Sequence, residues 1–368
     1  MPSELLRCPG TRFMVTRRPV QVERVSHRHG VIRKKACRCS STQETTAQLA
    51  EQNRTGRRKG EPFMRILTRG SALALVQAER MAAVLRESGC PVEIVPWATR
   101  GDRDTDSPLC SFGGSGAFSG CIEEALLLGK GDGAVHSLKD IPSCCRPGLE
   151  IAAVLPRDSS ADVLVCRENS VFDTLPEGAS VGTSSPRRKA QILRIRPDLS
   201  VNNIRGNLST RLQKLEDGQY DAIILARAGL ERLGIRPEYA CDLPFLPAPC
   251  QGIIALEAPA LSPLFAIGRS VSHRETHLCS LAERSLLRRL GVGCHVPFAA
   301  KAQMQGEMLT LEAEILDPLG RDCLRLSCTT AVYGEQDALK AGDILAENFE
   351  ENPEAARLLA RSLAGEKQ

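Results

Sequence analysis

Aromatic residues are scarce in this chain of 368 residues, with one Trp, three Tyr and nine Phe. The net charge is only +4. A nucleic-acid-binding protein needs basic patches and stacking aromatics, so neither figure points to one. No CxxC pair occurs, and the fifteen cysteines follow no regular spacing. Cys37 with Cys39, and Cys144 with Cys145, lack a matching second pair, so no zinc site is expected. His273 and His277 stand at i,i+4 without a recognisable third ligand and are expected on a solvated helix face. No apolar signal segment opens the chain, so a reducing compartment with free thiols is expected, and with it the cytoplasm and no membrane.

What is present is a chain with 42% apolar residues, enough to bury two or three cores. The positive charge is unevenly placed. Residues 1–63 carry 14 Lys or Arg against 5 Glu, which leaves the remainder net negative. This basic segment shows no sustained period and reads as a disordered extension. It suits either a plastid or mitochondrial transit peptide or an extension upstream of Met64.

From Met64 the pattern sharpens. Arg65-Ile66-Leu67-Thr68 reads as a strand, Arg69-Gly70-Ser71 as a turn, and residues 72–87 as a helix with Leu73, Val76, Met81 and Val84 inward. Residues 91–97 give a second strand, so the start is βαβ and a parallel sheet is expected. Arg69 and Ser71 then lie at a helix start, where anions are favoured. The Gly-rich stretch 108–118, which includes Ser115 and Phe118, suits a mobile cover or a plain connection. A short helix (122–128) follows.

Gly133-Ala134-Val135-His136-Ser137-Leu138-Lys139-Asp140 is an apolar run that delivers a cation and a carboxylate to a strand end, stopped by Pro142. Ligands bind at the carboxyl ends of strands in open α/β sheets, which makes Asp140 the first candidate for chemistry. In Val181-Gly182-Thr183-Ser184-Ser185-Pro186-Arg187-Arg188, Ser185 is a good N-cap and Pro186 suits the first helical position. Basic residues at a helix start oppose its dipole, so Arg187 and Arg188 read as ligand-binding. Arg205, Gly206 and Arg211 repeat the character. Asp132-Gly133-Ala134-Val135 and Asp221-Ala222-Ile223-Ile224 read as corresponding strands of two similar lobes. Arginines and hydroxyls facing a cleft suit a ligand with several carboxylates or phosphates. Finally, Gly291-Val292-Gly293-Cys294-His295-Val296-Pro297 holds a cysteine on a loop, placed for access. Taken alone, one cysteine among fifteen is usually inert.

Together these stretches resemble the porphobilinogen deaminase (hydroxymethylbilane synthase) family. The resemblance rests on Thr68-Arg69-Gly70-Ser71, Thr99-Arg100-Gly101-Asp102, the stretches 136–142 and 182–188, Arg205-Gly206-Asn207 with Thr210-Arg211-Leu212, Gln251-Gly252, Ala282-Glu283-Arg284, and Gly293-Cys294 with Val296-Pro297. It implies two periplasmic-binding-protein-like (type II) lobes around a cleft, residues 64–157 with 251–268 and residues 158–250. A small C-terminal α/β domain, residues 269–368, completes the expected fold. It implies that Cys294 carries a dipyrromethane cofactor through a thioether, and that four porphobilinogen units are joined head to tail with loss of ammonia. Asp140 matches the family's catalytic carboxylate. Arg69, Ser71, Ser137, Lys139, Thr183, Ser184, Ser185, Arg187, Arg188, Arg205, Gly206 and Arg211 are the implied cradle for the pyrrole carboxylates. The substrate is the only partner implied, and a monomer is expected. One departure stands out: Ser115 occupies a cover-loop position that is commonly Lys. A non-catalytic two-lobed carboxylate-binding protein would explain the arginines but not the cysteine loop. A thiol-dependent acyl transferase would want a His partner for Cys294, and the adjacent His295 would point elsewhere.

Overall fold

The structure is a computed structural model that describes residues 63–97, 120–168 and 170–364. Residues 1–62, Thr99-Arg100-Gly101-Asp102, Ser115 and Phe118 lie outside the described residues.

Two five-stranded sheets share one plan. The first has the order β2-β1-β3-β10-β4, built from β1 (Met64–Arg69), β2 (Val92–Trp97), β3 (Gly133–Ser137), β4 (Leu149–Val154) and β10 (Ile254–Pro259). The second has the order β7-β6-β8-β5-β9, from β5 (Asp162–Cys166), β6 (Ser180–Gly182), β7 (Ser200–Asn202), β8 (Ala222–Ala226) and β9 (Ala240–Leu243). In each, four strands run in one direction and the strand that enters from the other lobe runs against them: β10 between β3 and β4, β5 between β8 and β9. The expected parallel sheets are therefore mixed. The chain crosses between lobes twice, through residues 155–161 and 244–253, and each crossing inserts a strand of opposite direction.

The two lobes also match in detail. Asp132, just before β3, accepts from the Arg65 N–H at 2.7 Å and donates its own N–H to the Arg65 carbonyl at 2.8 Å. Asp221, just before β8, does the same with Ser180 at 2.8 and 2.9 Å. The echo between the two Asp-led stretches thus marks equivalent central strands.

Helices cover the sheets. In the first lobe, α1 (Ala72–Glu87) is capped by the Ser71 hydroxyl and buries Gln77, Ala78, Met81, Ala82 and Leu85. Of the expected inner residues, Met81 is buried and the part-buried Val84 packs on the same core, whereas Leu73 and Val76 are only part-buried and Leu73 reaches toward Gly229 of the other lobe. An interlobe contact is an apolar demand that periodicity within one helix does not separate from the core. Helix α2 is Gly120–Leu127. In the second lobe, α3 (Pro186–Ile195) has Ser185 as N-cap and Pro186 at its start, α4 (Leu208–Glu216) is capped by Asn207, and α5 is Arg227–Arg232. Helix α6 (Pro263–Val271) returns to pack on the first sheet.

The C-terminal unit is an antiparallel sheet of β11 (Phe298–Gln305), β12 (Met308–Leu316) and β13 (Cys323–Ala331). Residues 317–320 turn β12 into β13, with the Asp317 carboxylate accepting from the Leu319 and Arg321 N–H groups. Helices α7 (Arg274–Leu290), α8 (Glu335–Glu350) and α9 (Pro353–Ala364) share a core with this sheet, in which the Phe298 and Phe349 rings lie 5.8 Å apart. Proline 353 separates α8 from α9, as its position requires. His273 and His277 are not on a solvated face. His273 caps α7 by accepting from the Thr276 N–H, and His277 is buried between Arg269 and Glu335. No described helix is long and apolar enough to cross a membrane.

Candidate functional site

Strand β3 ends in a single tight turn, Leu138–Asp140. Leu138 is buried and plugs the core, which turns Lys139 to the edge and leaves Asp140 exposed. Parallel pairing sets the ends of β1 and β3 side by side, so Arg69 and Ser71 rise at the edge that carries Asp140. Ser137 is fastened to α1, its hydroxyl 2.8 Å from the Gln77 amide nitrogen.

The third unit docks onto this edge through two consecutive residues of α7. Arg284 donates to the Pro142 and Ser143 carbonyls at 2.7 and 3.2 Å and lies 3.4 Å from the Ile141 carbonyl, so it grips the chain directly after Asp140. Glu283, fully buried, forms a two-pronged ion pair with Arg157 at 2.7 and 3.0 Å. It also accepts from the Cys250 and Ala302 N–H groups. Both crossovers and β11 are thereby tied to α7. Past α7, Val292 and Val296 are buried on either side of an exposed Cys294. The loop is pinned at both ends and offers the thiol between them. Burial of its surroundings and then the charge of Asp140 push the Cys294 thiol up, while Lys139 works in the opposite sense.

Lys139 is pushed down to about 8, first by burial, with Arg188 and Arg187 adding to the shift and Asp140 and Asp162 opposing it. Burial and then Arg188 hold Arg211 down to about 10, against the pull of Asp140. Charge thus couples Lys139 to Asp140, Arg188 and Cys294, and Arg211 to Arg188 and Asp140, across all three units.

Arg187 and Arg188 were expected to face a ligand, and here the structure corrects the expectation. Both are turned inward onto Asp162, which is fully buried at the start of β5. Arg187 Nη1 donates to Asp162 at 2.6 Å and also to Gln191 and the Leu246 carbonyl; only 4% of the residue is exposed. Arg188 donates to Asp162 at 2.7 and 3.0 Å and to the Ile224 carbonyl. Burial alone would raise the Asp162 carboxyl; the two guanidiniums overcome it and hold the group well below the usual range. A carboxylate in an otherwise apolar strand had to find cations, and these are the nearest. The helix-start arginines thus serve the interior first. Arg188 still contributes its field to the cleft.

The hydroxyls also have local duties. Ser71 and Ser185 are N-caps, Thr183 accepts from the Ser185 N–H, and Ser184 bridges to both the N–H and carbonyl of Ile204. Gly206, between Arg205 and the helix bearing Arg211, sits at φ +108°, and a Cβ there would come within 2.7 Å of Thr210. Arg211 Nε donates to the Gly206 carbonyl, and no carboxylate pairs with it among the described residues. Three residues central to the site were missed from sequence as partners: Asp162, Arg157 and Gln251. The usable signal was a charge inside a buried strand run, which demands a counter-charge.

Residues 64–262 match the family described as "Porphobilinogen deaminase, dipyromethane cofactor binding domain", and residues 277–351 match its C-terminal domain. The chain belongs to the porphobilinogen deaminase family. It is 46% identical over 255 residues to the porphobilinogen deaminase of Stenotrophomonas maltophilia strain K279a, covering 68% of this chain and 84% of that one. To the probable porphobilinogen deaminase of Methanocella arvoryzae it is 43% identical over 279 residues, 75% of this chain and 92% of that one. Among solved structures, the periplasmic VFT2 domain of Bordetella pertussis BvgS aligns with 62% of this chain and 90% of its own at 13% identity and a TM-score of 0.38. That likeness is too loose to argue from.

Proposed function

We propose that this chain joins four porphobilinogen molecules head to tail, releasing one ammonia per step, and frees the linear tetrapyrrole hydroxymethylbilane by hydrolysis. Family membership supports the reaction, and one observation supports the site: the exposed Cys294, the exposed Asp140 and the part-buried Lys139 and Arg211, drawn from three units, are coupled through their charges. The division into 64–157 with 251–268, 158–250 and 269–368 belongs to the same proposal and accords with the three sheets. So do a monomeric state and a cytoplasmic setting, the latter in keeping with free thiols at every described cysteine.

The residues fit a covalently held dipyrromethane. Cys294 offers an accessible sulfur near Asp140, and Arg211 is a part-buried cation that the described residues leave without a carboxylate. When bound, that group supplies the pyrrole carbon to which the first substrate is joined. Cys294 would hold it, with Arg69, Ser71, Ser137, Lys139, Arg205 and Arg211 toward the carboxylates. Thr183, Ser184, Ser185 and Gly206 would shape the facing wall. In each condensation the aminomethyl C–N bond breaks, a C–C bond forms to the pyrrole, and the displaced pyrrole proton leaves with ammonia. Positive charge builds on the ring nitrogen of the substrate. Asp140 accepts that N–H and stabilises the charge as it develops, which is worth most in a site fixed beforehand. Lys139 and Arg211 hold acidic side groups of the growing chain.

Intact mass of the purified protein beside Cys294→Ser tests the reading. An added mass of two linked pyrrole units in the parent, absent from the variant, is expected. If porphobilinogen is supplied and neither protein gains mass, the assignment falls.

A further inference from the structure

Gln251 is buried to 1% exposure at the end of the second crossover, and every polar atom of its side chain is engaged. Its Nε2 donates to the Ser160 carbonyl at 2.8 Å, to Asp162 at 2.9 Å and, weakly, to the Ala161 carbonyl at 3.4 Å. Because these partners are all acceptors, the amide cannot be turned over, and its Oε1 must face the other way. There it accepts from the Lys139 ammonium at 3.3 Å. The Gln251 main-chain carbonyl accepts from Arg157 Nε at 2.9 Å, and Arg157 is held by Glu283 of the third unit. One amide therefore spans from the Lys139-Asp140 edge of the first lobe to the Asp162 cluster of the second, with its backbone moored to the third.

We infer that Gln251 is a positioning residue that holds the Lys139 ammonium beside Asp140 and keeps it charged. This rests on the proposed role of Lys139 in turnover. The groups that act on Lys139 are Asp140 on its own turn, Arg187, Arg188 and Asp162 from the second lobe, and Cys294 from the third unit. Burial and the two arginines press it toward neutrality; Asp140 and Asp162 resist. A carbonyl oxygen aimed at the ammonium adds to the resistance at no cost in charge. Gln251 thus works on the side of the proton without itself titrating.

The sign follows. Lys139 is charged below its pKa of about 8 and neutral above it, so its contribution is lost as pH rises. Deleting the acceptor in Gln251→Met lowers that midpoint, whereas Gln251→Glu puts a carboxylate against the ammonium and raises it. Opposite shifts from one position are not what simple loosening of the fold produces.

The test uses the full-length holoenzyme and reads Lys139 directly: the rate of reductive methylation of its Nζ against pH, from the peptide mass spectrum, beside the pH profile of kcat. We expect the Lys139 midpoint to fall by about one unit in Q251M and to rise by about one unit in Q251E. The alkaline limb of kcat should move with it. Should Q251E not fold, because its carboxylate lies beside Asp162, Q251N takes its place; its shorter amide cannot reach both partners, and its midpoint must fall as in Q251M. Midpoints that stay within about 0.3 unit of the parent, or shift the same way in Q251M and Q251E, overturn the inference. If the methylation midpoints shift as expected and kcat does not follow, the role of Gln251 stands and that of Lys139 in turnover falls.

Discussion

The two lobes have the same strand order and the same aspartate pinch before the central strand, yet different charges stand at their strand ends. In the first lobe the central strand β3 exits through one tight turn that leaves Asp140 exposed. In the second, β8 runs directly into helix α5, and the charge lies instead at the starts of α3 and α4, as arginines. Shared topology fixes where strand ends gather; the residues that follow each strand decide what chemistry gathers there. The first lobe sets a lysine and an exposed carboxylate at its central strand end, and the second sets arginines at its helix starts. The buried Asp162 adds a twist, since it sits on the strand the first lobe sends into the second and takes up much of the arginine charge before any ligand arrives.

The sharpest way to break this comparison is to remove the anion. In Asp140→Ala we expect pyrrole binding to persist, while single-turnover condensation falls by roughly 10²–10³-fold, the usual scale for losing a fixed group that stabilises developing charge. A condensation rate within about twofold of the parent would remove Asp140 from the chemistry.

Next in size is the cation cluster of the second lobe. Asp162→Asn keeps the shape but leaves Arg187 and Arg188 buried without their anion, and should cost about 3–5 kcal/mol in urea unfolding at neutral pH. The pH dependence is informative. The folded carboxyl lies below its ordinary value, so its stabilisation is present above the unfolded pKa of about 4 and is lost as pH falls below it toward the folded value. The difference between parent and variant should therefore shrink on acidification. An unchanged gap between pH 7 and pH 3 would mean that Asp162 acts through packing alone.

The smallest effect tests the equivalence of the lobes. Asp132→Ala and Asp221→Ala each remove one carboxylate that accepts from a strand N–H, and each should cost about 1 kcal/mol. Costs differing by more than about 1 kcal/mol would show that the matching hydrogen bonds hide unequal surroundings. Asp221 also lies 3.6 Å from Arg167, but that pair is exposed and should add little.

The sequence by itself settled what depends on near neighbours. Ser71 and Ser185 with Pro186 marked helix starts, and the run into Asp140 marked a strand that ends in a cation and a carboxylate. Each of these is a matter of caps, turns and periodicity within a few residues, where local sterics and hydrogen bonds govern. Cys294 and Asp140 were legible as candidates for the same reason: an exposed loop and a strand end announce themselves locally. Tertiary structure alone decided which way Arg187 and Arg188 turn, that Leu73 looks to the other lobe, that His277 is buried, and that Gln251 joins Lys139 to Asp162. These partners are brought together by two crossovers between lobes and by the docking of α7. A buried charge takes whatever counter-charge the folded chain sets beside it, and that choice exists only once the lobes have met.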